Sequence, residues 1–311
     1  MLLGRLVDLG RLGAPAEELV GQSRHHEGNR RGFSRGRLRY PFNNDWRSAM
    51  GSVFDEAAAA DGVAPINESG ELVLQGLRPG KLYENEAAAA VVDLRDGTIM
   101  LAVRPDQRRL GHGRALLNQV LETHPGLGVW AFGTLPGAEP LARSAGLQPQ
   151  RTLLRMTRAL EGIAPDEPTA CISAFRDDDA DAVVRINAEA FAHHPEQGKL
   201  TRSEFDDLRS QPWFSADGLL VARDGDTPVG FHWTKRHGDG LGEVYVIGVA
   251  PGHEGKGIGR ALLTAGLRHL AEMGDHTVEL YVEASEQRVV RMYEAAGFDV
   301  AARDTLFGRD A

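Results

Sequence analysis

Two glycine turns are the first places in this sequence where residue type and spacing suggest chemistry. They are Arg109-Leu110-Gly111-His112-Gly113-Arg114 and Lys256-Gly257-Ile258-Gly259-Arg260. Each follows an apolar run and a proline (Pro105, Pro251), and each opens a segment with helical periodicity. Glycine lets a backbone approach a ligand closely, and the unpaired N–H groups at a helix start carry partial positive charge. Together with the flanking Arg and Lys, that arrangement suits a pyrophosphate. Neither turn has the third glycine of a G-x-G-x-x-G dinucleotide turn, and neither ends in the GK[ST] of a phosphate loop. One G-x-G is weak evidence. Two in equivalent settings are stronger.

Other reactive residue types are sparse. Cys171 is the single cysteine, so no disulfide can form within the chain, which fits a reducing cytosol. It stands in ACISAF, an apolar–polar alternation expected of a strand, and a buried thiol is expected there rather than a nucleophile. His193 and His194 have no third ligand at useful spacing and read as loop residues, so no metal is expected. Trp213 and Trp233 read as packing residues.

The turns need elements to hold them. An alanine-rich helix is expected from Asp45-Trp46 to Asp61, and GELVLQGL reads as a strand. AAAAVVDLRDG and TIMLAVRP predict two strands joined at Asp96-Gly97. Ala115, Leu116, Leu117, Val120 and Leu121 put a helix over 111–123. A strand in GLGVWAFG, a helix in PLARSAGL stopped by Gly146, and a strand in RTLLRMTRAL complete this half. The Pro- and acid-rich EGIAPDEPTA is a linker candidate, which puts the domain boundary near 160–168. Beyond it, ACISAFRDDDADAVVRINAEAFA predicts strand, turn and helix, and SEFDDLRS a further helix. A hairpin is centred on Asp224-Gly225-Asp226. LGEVYVIGVAP is a strand, GKGIGRALLTAGLRHLAEMG an amphipathic helix, HTVELYVE a strand, EQRVVRMYEAAG a helix and FDVAARDTLF a last strand.

The same order of elements thus occurs twice. Setting Pro105 over Pro251 puts Gly111 over Gly257 and Gly113 over Gly259, all at an offset of 146 residues. The chain reads as an α/β protein of two tandem domains, over 44–162 and 169–311. Its 311 residues suit two ordinary domains, and 42% hydrophobic with 25% charged residues describes a soluble globular chain. No run approaches the roughly 18 apolar residues of a membrane span, and MLLGRLVDLGRLG is too broken for a signal peptide. Residues 1–43 carry eight arginines against Asp8, Glu17, Glu18 and Glu27, within a chain of net charge −9. That basic head lacks hydrophobic periodicity and is expected to be a disordered extension. The acidic body argues against nucleic acid as partner.

The two turns, each after a β run and before a long helix, together with RMYEAAGF, resemble the GCN5-related N-acetyltransferase family. Its cofactor turn reads Q/R-x-x-G-x-G/A. The first copy fits with Arg108 offset by one; the second has Glu254 where Gln or Arg is expected, so Glu254 should face solvent and leave the charge to Lys256 and Arg260. The resemblance implies a mixed, splayed β-sheet flanked by helices in each domain, with acetyl-CoA in the opening made by a strand bulge. More narrowly, DWRSAM, DGVAPINE, AFAHHPEQG, GFHWTK, GLGEVYVIGV, LYVE and VRMYEAAGF, in this order, resemble the mycothiol-forming branch of that family. The match runs from about Asp45 to Phe307. It implies cytosolic, actinobacterial enzymes that acetylate the cysteinyl amine of Cys-GlcN-Ins, releasing CoA.

The resemblance also implies roles. Glu243 would be the general base, through water, and Tyr293 the acid that protonates the departing sulfur; an α-amine with a pKa of about 7.7–8.0 needs only a modest base. Acetyl-CoA would lie on Ile247, Gly248 and Val249, on the turn from Glu254, Gly255 and Lys256 through Gly257, Ile258, Gly259 and Arg260, and on Glu286, Gln287, Arg288 and Arg291. In the first copy the corresponding positions are Leu101, Ala102 and Val103, then Arg109, Leu110, Gly111, His112, Gly113 and Arg114. The acceptor would meet Glu68, Glu196, Lys235, Glu243 and Tyr281, in a cleft between the domains. A monomer is expected. In the repeat alignment Gly97 stands under Glu243 and Ala142 under Tyr293. The first domain is therefore expected to lack catalysis even if its turn holds CoA. Two other readings stay open: an acetyltransferase for another amine, such as an aminoglycoside or a protein N-terminus, and a non-catalytic acyl-CoA sensor.

Overall fold

The computed structural model describes residues 51–163, 171–192 and 197–309. The basic head, His193, His194 and Glu196 lie outside the described residues. The described chain forms two compact units, one ending at Pro125 and one starting at Gly126.

The first unit contains α1 (Gly51–Asp61), α2 (Glu68–Leu74), β1 (Gly80–Glu84), β2 (Ala88–Asp93), β3 (Thr98–Val103) and α3 (His112–Thr123). β1, β2 and β3 form an antiparallel meander. All six residues of the Ala/Val-rich β2 are buried; the apolar run Ala88–Val92 requires this, and Asp93 is paired. The β2–β3 turn is tied at Asp93, whose Oδ1 accepts N–H bonds from Arg95 (2.9 Å) and Asp96 (3.2 Å). Its Oδ2 takes Arg78 Nε at 2.8 Å, an ion pair buried at both ends. GELVLQGL is not a strand. Asn67 caps a helix there by accepting the Gly70 N–H at 3.0 Å, and this N-cap outweighs the alternation of Leu72 and Leu74. β1 has no counterpart among the sequence expectations.

The second unit contains β4 (Gly128–Ala131), α4 (Ala138–Ser144), β5 (Gln148–Ala159), β6 (Cys171–Ala174), α5 (Ala180–Ala190), α6 (Arg202–Arg209), β7 (Leu219–Asp224), β8 (Thr227–Gly238), β9 (Leu241–Val249), α7 (Ile258–Glu272), β10 (Thr277–Glu283), α8 (Gln287–Ala295) and β11 (Asp299–Gly308). Its strands run in the order β4-β11-β5-β10-β9-β8-β7-β6. β9 and β10 are parallel; the other described pairings are antiparallel. β5, the strand before the linker, pairs with β10 on one side and β11 on the other. The compact units therefore divide at a different place from the repeat.

Helices cover both faces. Leu262, Leu263, Leu267 and Leu270 of α7 and Val289, Val290 and Tyr293 of α8 pack on Val244, Ile247, Val278, Leu280, Val282 and Met156. On the opposite face Val183 and Ile186 of α5 and Phe205 and Leu208 of α6 meet Val221, Phe231, Trp233, Tyr245 and Val246. Period-2 strands and 3.6-period helices thus place their apolar sides as the sequence pattern requires. His232 of β8 locks α7 down. Its Nδ1 donates to Leu262 O at 2.8 Å, and a Cβ at Gly266 would lie 2.1 Å from the ring. Burial lowers its pKa to about 4, so it stays neutral at ordinary pH.

Cys171 departs from expectation: it is exposed. It opens β6, the last strand of the order, and an edge strand's first residue is poorly covered.

Candidate active site

β8 and β9 form a hairpin whose turn residues Gly238, Asp239 and Gly240 have φ of 84°, 50° and 77°. Left-handed backbone at these positions gives a turn whose twist suits a hairpin. The turn sets Glu243 opposite Lys235 of β8. On its other side β9 pairs with β10 over Leu241–Glu243 alone, with Glu243 opposite Glu279. Past Glu243 the register against β8 slips by one, from Thr234↔Val244 to Trp233↔Val246. Tyr245 is the extra residue, and both Tyr245 and Val246 face the same core. That is a β-bulge, and it bends β9 away from β10. Glu243 stands at the fork.

The edge of β9 beyond the fork is usable. Ala250 N–H donates to Val229 O of β8 at 2.8 Å. Strand alternation then turns the polar groups of Val249 and, two residues back, Ile247 toward the gap.

A polar strip runs across β8, β9, β10 and β5 on the face opposite α7 and α8. Lys235, Glu243, Glu279 and Tyr281 are each buried to below a tenth exposed. His237 Nε2 lies 2.7 Å from Glu243 Oε2, whereas Glu243 Oε1 has no hydrogen-bond partner. Arg155 Nη1 reaches Glu279 Oε2 at 3.3 Å. Lys235 Nζ sits 4.7 Å from the Trp213 ring centroid and 5.2 Å from that of Tyr245. Trp213 thus packs, as expected, and also carries a cation. The hydrogen bond to Glu243 raises the His237 pKa above the usual histidine range. Burial, helped by the Glu243 charge, raises that of Glu279 against the pull of Arg155. The ligand-type atoms of His237, Glu243 and Glu279 lie within 4.8 Å of one another. Arg155 brings positive charge to Glu279, and Lys235 stands opposite Glu243 in the register.

Tyr293 is fully buried on α8, its ring edge-on to Phe298 at 5.5 Å. Its hydroxyl has no hydrogen-bond partner, and burial pushes the phenol pKa far up. The group keeps its proton.

The glycine turn after β9 ends at Gly257, the N-cap of α7, with φ 81°. Ile258 is buried and anchors the helix, while Lys256 and Arg260 are exposed. Glu254 accepts the Gly252 N–H at 2.7 Å and faces solvent, and backbone N–H groups hold its carboxyl below the usual range. Gly255 completes the turn, and a Cβ at Gly259 would meet only Val249 Cγ2, at 3.7 Å. Glu286, Gln287, Arg288 and Arg291 are exposed at the start of α8.

The first unit repeats the turn. Gly111 caps α3 with φ 91°, and Arg109 and Arg114 are exposed. Arg108 is occupied elsewhere, by Asp61 at 2.7 and 2.8 Å and Val103 O at 3.1 Å. Leu101, Ala102 and Val103 end β3 ahead of the turn, and Gly113 is buried in α3. Glu68 is the first residue of α2 in this unit.

The structure therefore brings Lys235, Glu243 and Tyr281 onto one strip. Sequence reasoning missed His237, Glu279 and Arg155 of the same strip. Glu279 had a readable signal, an acid at the inward phase of an otherwise apolar strand.

A family model for the acetyltransferase (GNAT) family matches residues 164–298. The chain is 45% identical over 84% of its length to a mycothiol acetyltransferase of Propionibacterium freudenreichii subsp. shermanii, covering 88% of that protein. It is 41% identical to one of Streptomyces scabiei, with 84% and 91% of the two chains covered. A solved tandem GNAT protein from the clavulanic acid biosynthesis pathway superposes with a TM-score of 0.60 at 18% identity, over 85% of this chain and 95% of that one. The fold is a tandem GNAT fold, a mixed sheet flanked by helices. The chain belongs to the mycothiol acetyltransferases of the GNAT family, and is an acetyl-CoA-dependent N-acetyltransferase.

Proposed function

We propose that this chain transfers the acetyl group of acetyl-CoA to the cysteinyl amine of Cys-GlcN-Ins, giving mycothiol and CoA, at the fork between β9 and β10. The observation that carries the site is the unpartnered Oε1 of Glu243, buried where the two strands part. A desolvated carboxylate oxygen with no donor is primed to accept a proton. Glu243 takes the ammonium proton, through water, and the freed amine attacks the thioester carbon. The C–N bond forms, the C–S bond breaks, Tyr293 donates to the departing sulfur, and the proton shed by the attacking nitrogen restores the phenol. The Tyr293 hydroxyl, protonated and without a partner, has a donor to give.

Inward-facing N–H groups of Ile247 and Val249 would bind the pantetheine arm and the thioester oxygen. Lys256, Arg260 and the α7 N-terminus would take the pyrophosphate. Lys235 and Tyr281 would meet hydroxyls of the acceptor, with Glu68 and Glu196 as further partners. The names of its relatives favour this acceptor. The first turn, with Gly97 and Ala142 in place of an acid–base pair, would hold CoA at most.

The test is CoA release by purified protein with acetyl-CoA and Cys-GlcN-Ins, beside an aminoglycoside and an N-terminal peptide. Cys-GlcN-Ins should be preferred, and Glu243→Gln should lower kcat/KM by about 10²-fold or more. Equal turnover of the three amines would sink the acceptor assignment. No CoA release with any of them would favour a sensor.

A further inference from the structure

Glu243 meets a requirement that the acid–base scheme leaves unstated: a buried carboxylate must be both ionised and aimed. Lys235 on β8 faces it from the opposite register position, and Glu279 on β10 from the other side, itself bonded to Arg155 of β5. Glu279 is a like charge at that position. Lys235 is drawn to the rings of Trp213 and Tyr245. The direct contact to Glu243 comes from His237, whose Nε2 is 2.7 Å from Oε2. The Glu243 side chain is 3% exposed and that of His237 34% exposed. Only one carboxylate oxygen is held, and the other has no partner.

We propose that His237 is the positioning residue of the base: its Nε2–H fixes Glu243 Oε2, so that Oε1 is the single atom offered to the amine, and its charge offsets that of the sealed carboxylate. The inference rests on Glu243 being the base. His237 lies at the end of β8, two residues past Lys235, where the hairpin turn begins, so its ring reaches back over the fork from the solvent side. Its raised pKa keeps the imidazolium present to higher pH than a free histidine would. The groups facing it are Glu243 and Glu279, which favour that charge, and Lys235, which opposes it.

The experiment is the pH profile of kcat for His237→Ala, His237→Gln, Glu243→Gln and the double variant His237→Ala/Glu243→Gln, with CoA affinity and melting measured alongside. His237→Ala is expected to lower kcat about tenfold or more through loss of aim, with KM for acetyl-CoA within about twofold. The profile of His237→Ala should also lose the ionisation that the wild-type histidine, with its raised pKa, contributes. His237→Gln, whose amide N–H can still donate, should recover most of the rate at the optimum while losing the histidine ionisation from the profile. In the Glu243→Gln background His237→Ala should add no further loss. A His237→Ala protein with unchanged kcat and pH profile, while Glu243→Gln is inactive, overturns the role of His237 and leaves the base standing. So does a double variant whose losses multiply. A Glu243→Gln protein of full activity overturns the base, and the His237 role with it.

Discussion

Tyr293 carries a contradiction that its proposed role would resolve. A phenol hydroxyl buried without a partner is unfavourable by about 1–3 kcal/mol, and a packed core normally avoids it. Here the ring is fully buried between α8 and the sheet, against Phe298, and the hydroxyl is left bare. Phenylalanine would fill the same space without that penalty. The hydroxyl therefore belongs to a state in which something else receives its hydrogen bond, and the sulfur leaving at the fork is the receiver in the proposed scheme. Tyr293→Phe should accordingly lower kcat by about 10²-fold while the melting temperature holds or rises. A variant that melts lower with little change in rate would make the tyrosine a structural residue after all. Glu243 and Tyr293 could be proposed from the sequence because the motifs around each are distinctive. His237, Glu279 and Arg155 could not, since they join Glu243 only through strand register. Sequence separation hides it: Arg155 lies 124 residues before the Glu279 it bonds.

At the scale of elements, strong local patterns were readable and weak ones were overruled. The helix after each glycine turn was plain from its apolar spacing, and both begin with a left-handed glycine as N-cap. α2 was misread because seven residues carry too little periodicity to outvote a capping asparagine. The bulge at Tyr245 shows in no propensity; it appears when β9 is paired with β8 and two successive side chains turn to one core. The matched turns then invite a paired test. A carboxylate at Gly257 would suffer a left-handed φ, and would set a negative charge where a pyrophosphate must sit. Gly257→Glu should abolish turnover and raise the KM for acetyl-CoA beyond measurement. Gly111→Glu, equally strained at φ 91° in a repeat copy with Gly97 and Ala142 at the proposed acid–base positions, should leave kcat within about twofold. Equal loss in both, at unchanged melting, would mean that the first turn takes part in the reaction.

The whole molecule is a duplication whose halves have not stayed separate. Composition puts the repeat boundary near 160–168, yet the strand just before it belongs to the sheet that holds the candidate site. β5 pairs with β10 along Thr277–Glu283 and with β11 along Asp299–Gly308. It also sends Leu154 and Met156, with Leu160 just after it, into the core beside α7 and α8, and gives Arg155 to Glu279. A piece starting at Thr169 would keep both catalytic candidates and lose that strand. β10 and β11 would then expose unpaired N–H and C=O groups along whole strands, an invitation to aggregate. Three buried apolar side chains would go as well, at about 2–3 kcal/mol each by area, a large share of the roughly 5–15 kcal/mol that holds a domain together. Residues 169–311 expressed alone should therefore be insoluble or melt without cooperativity, while residues 126–311 should give a cooperative transition in circular dichroism. A stable, cooperative fragment from Thr169 would mean that β5 is dispensable, and that the repeat boundary is also the boundary of folding.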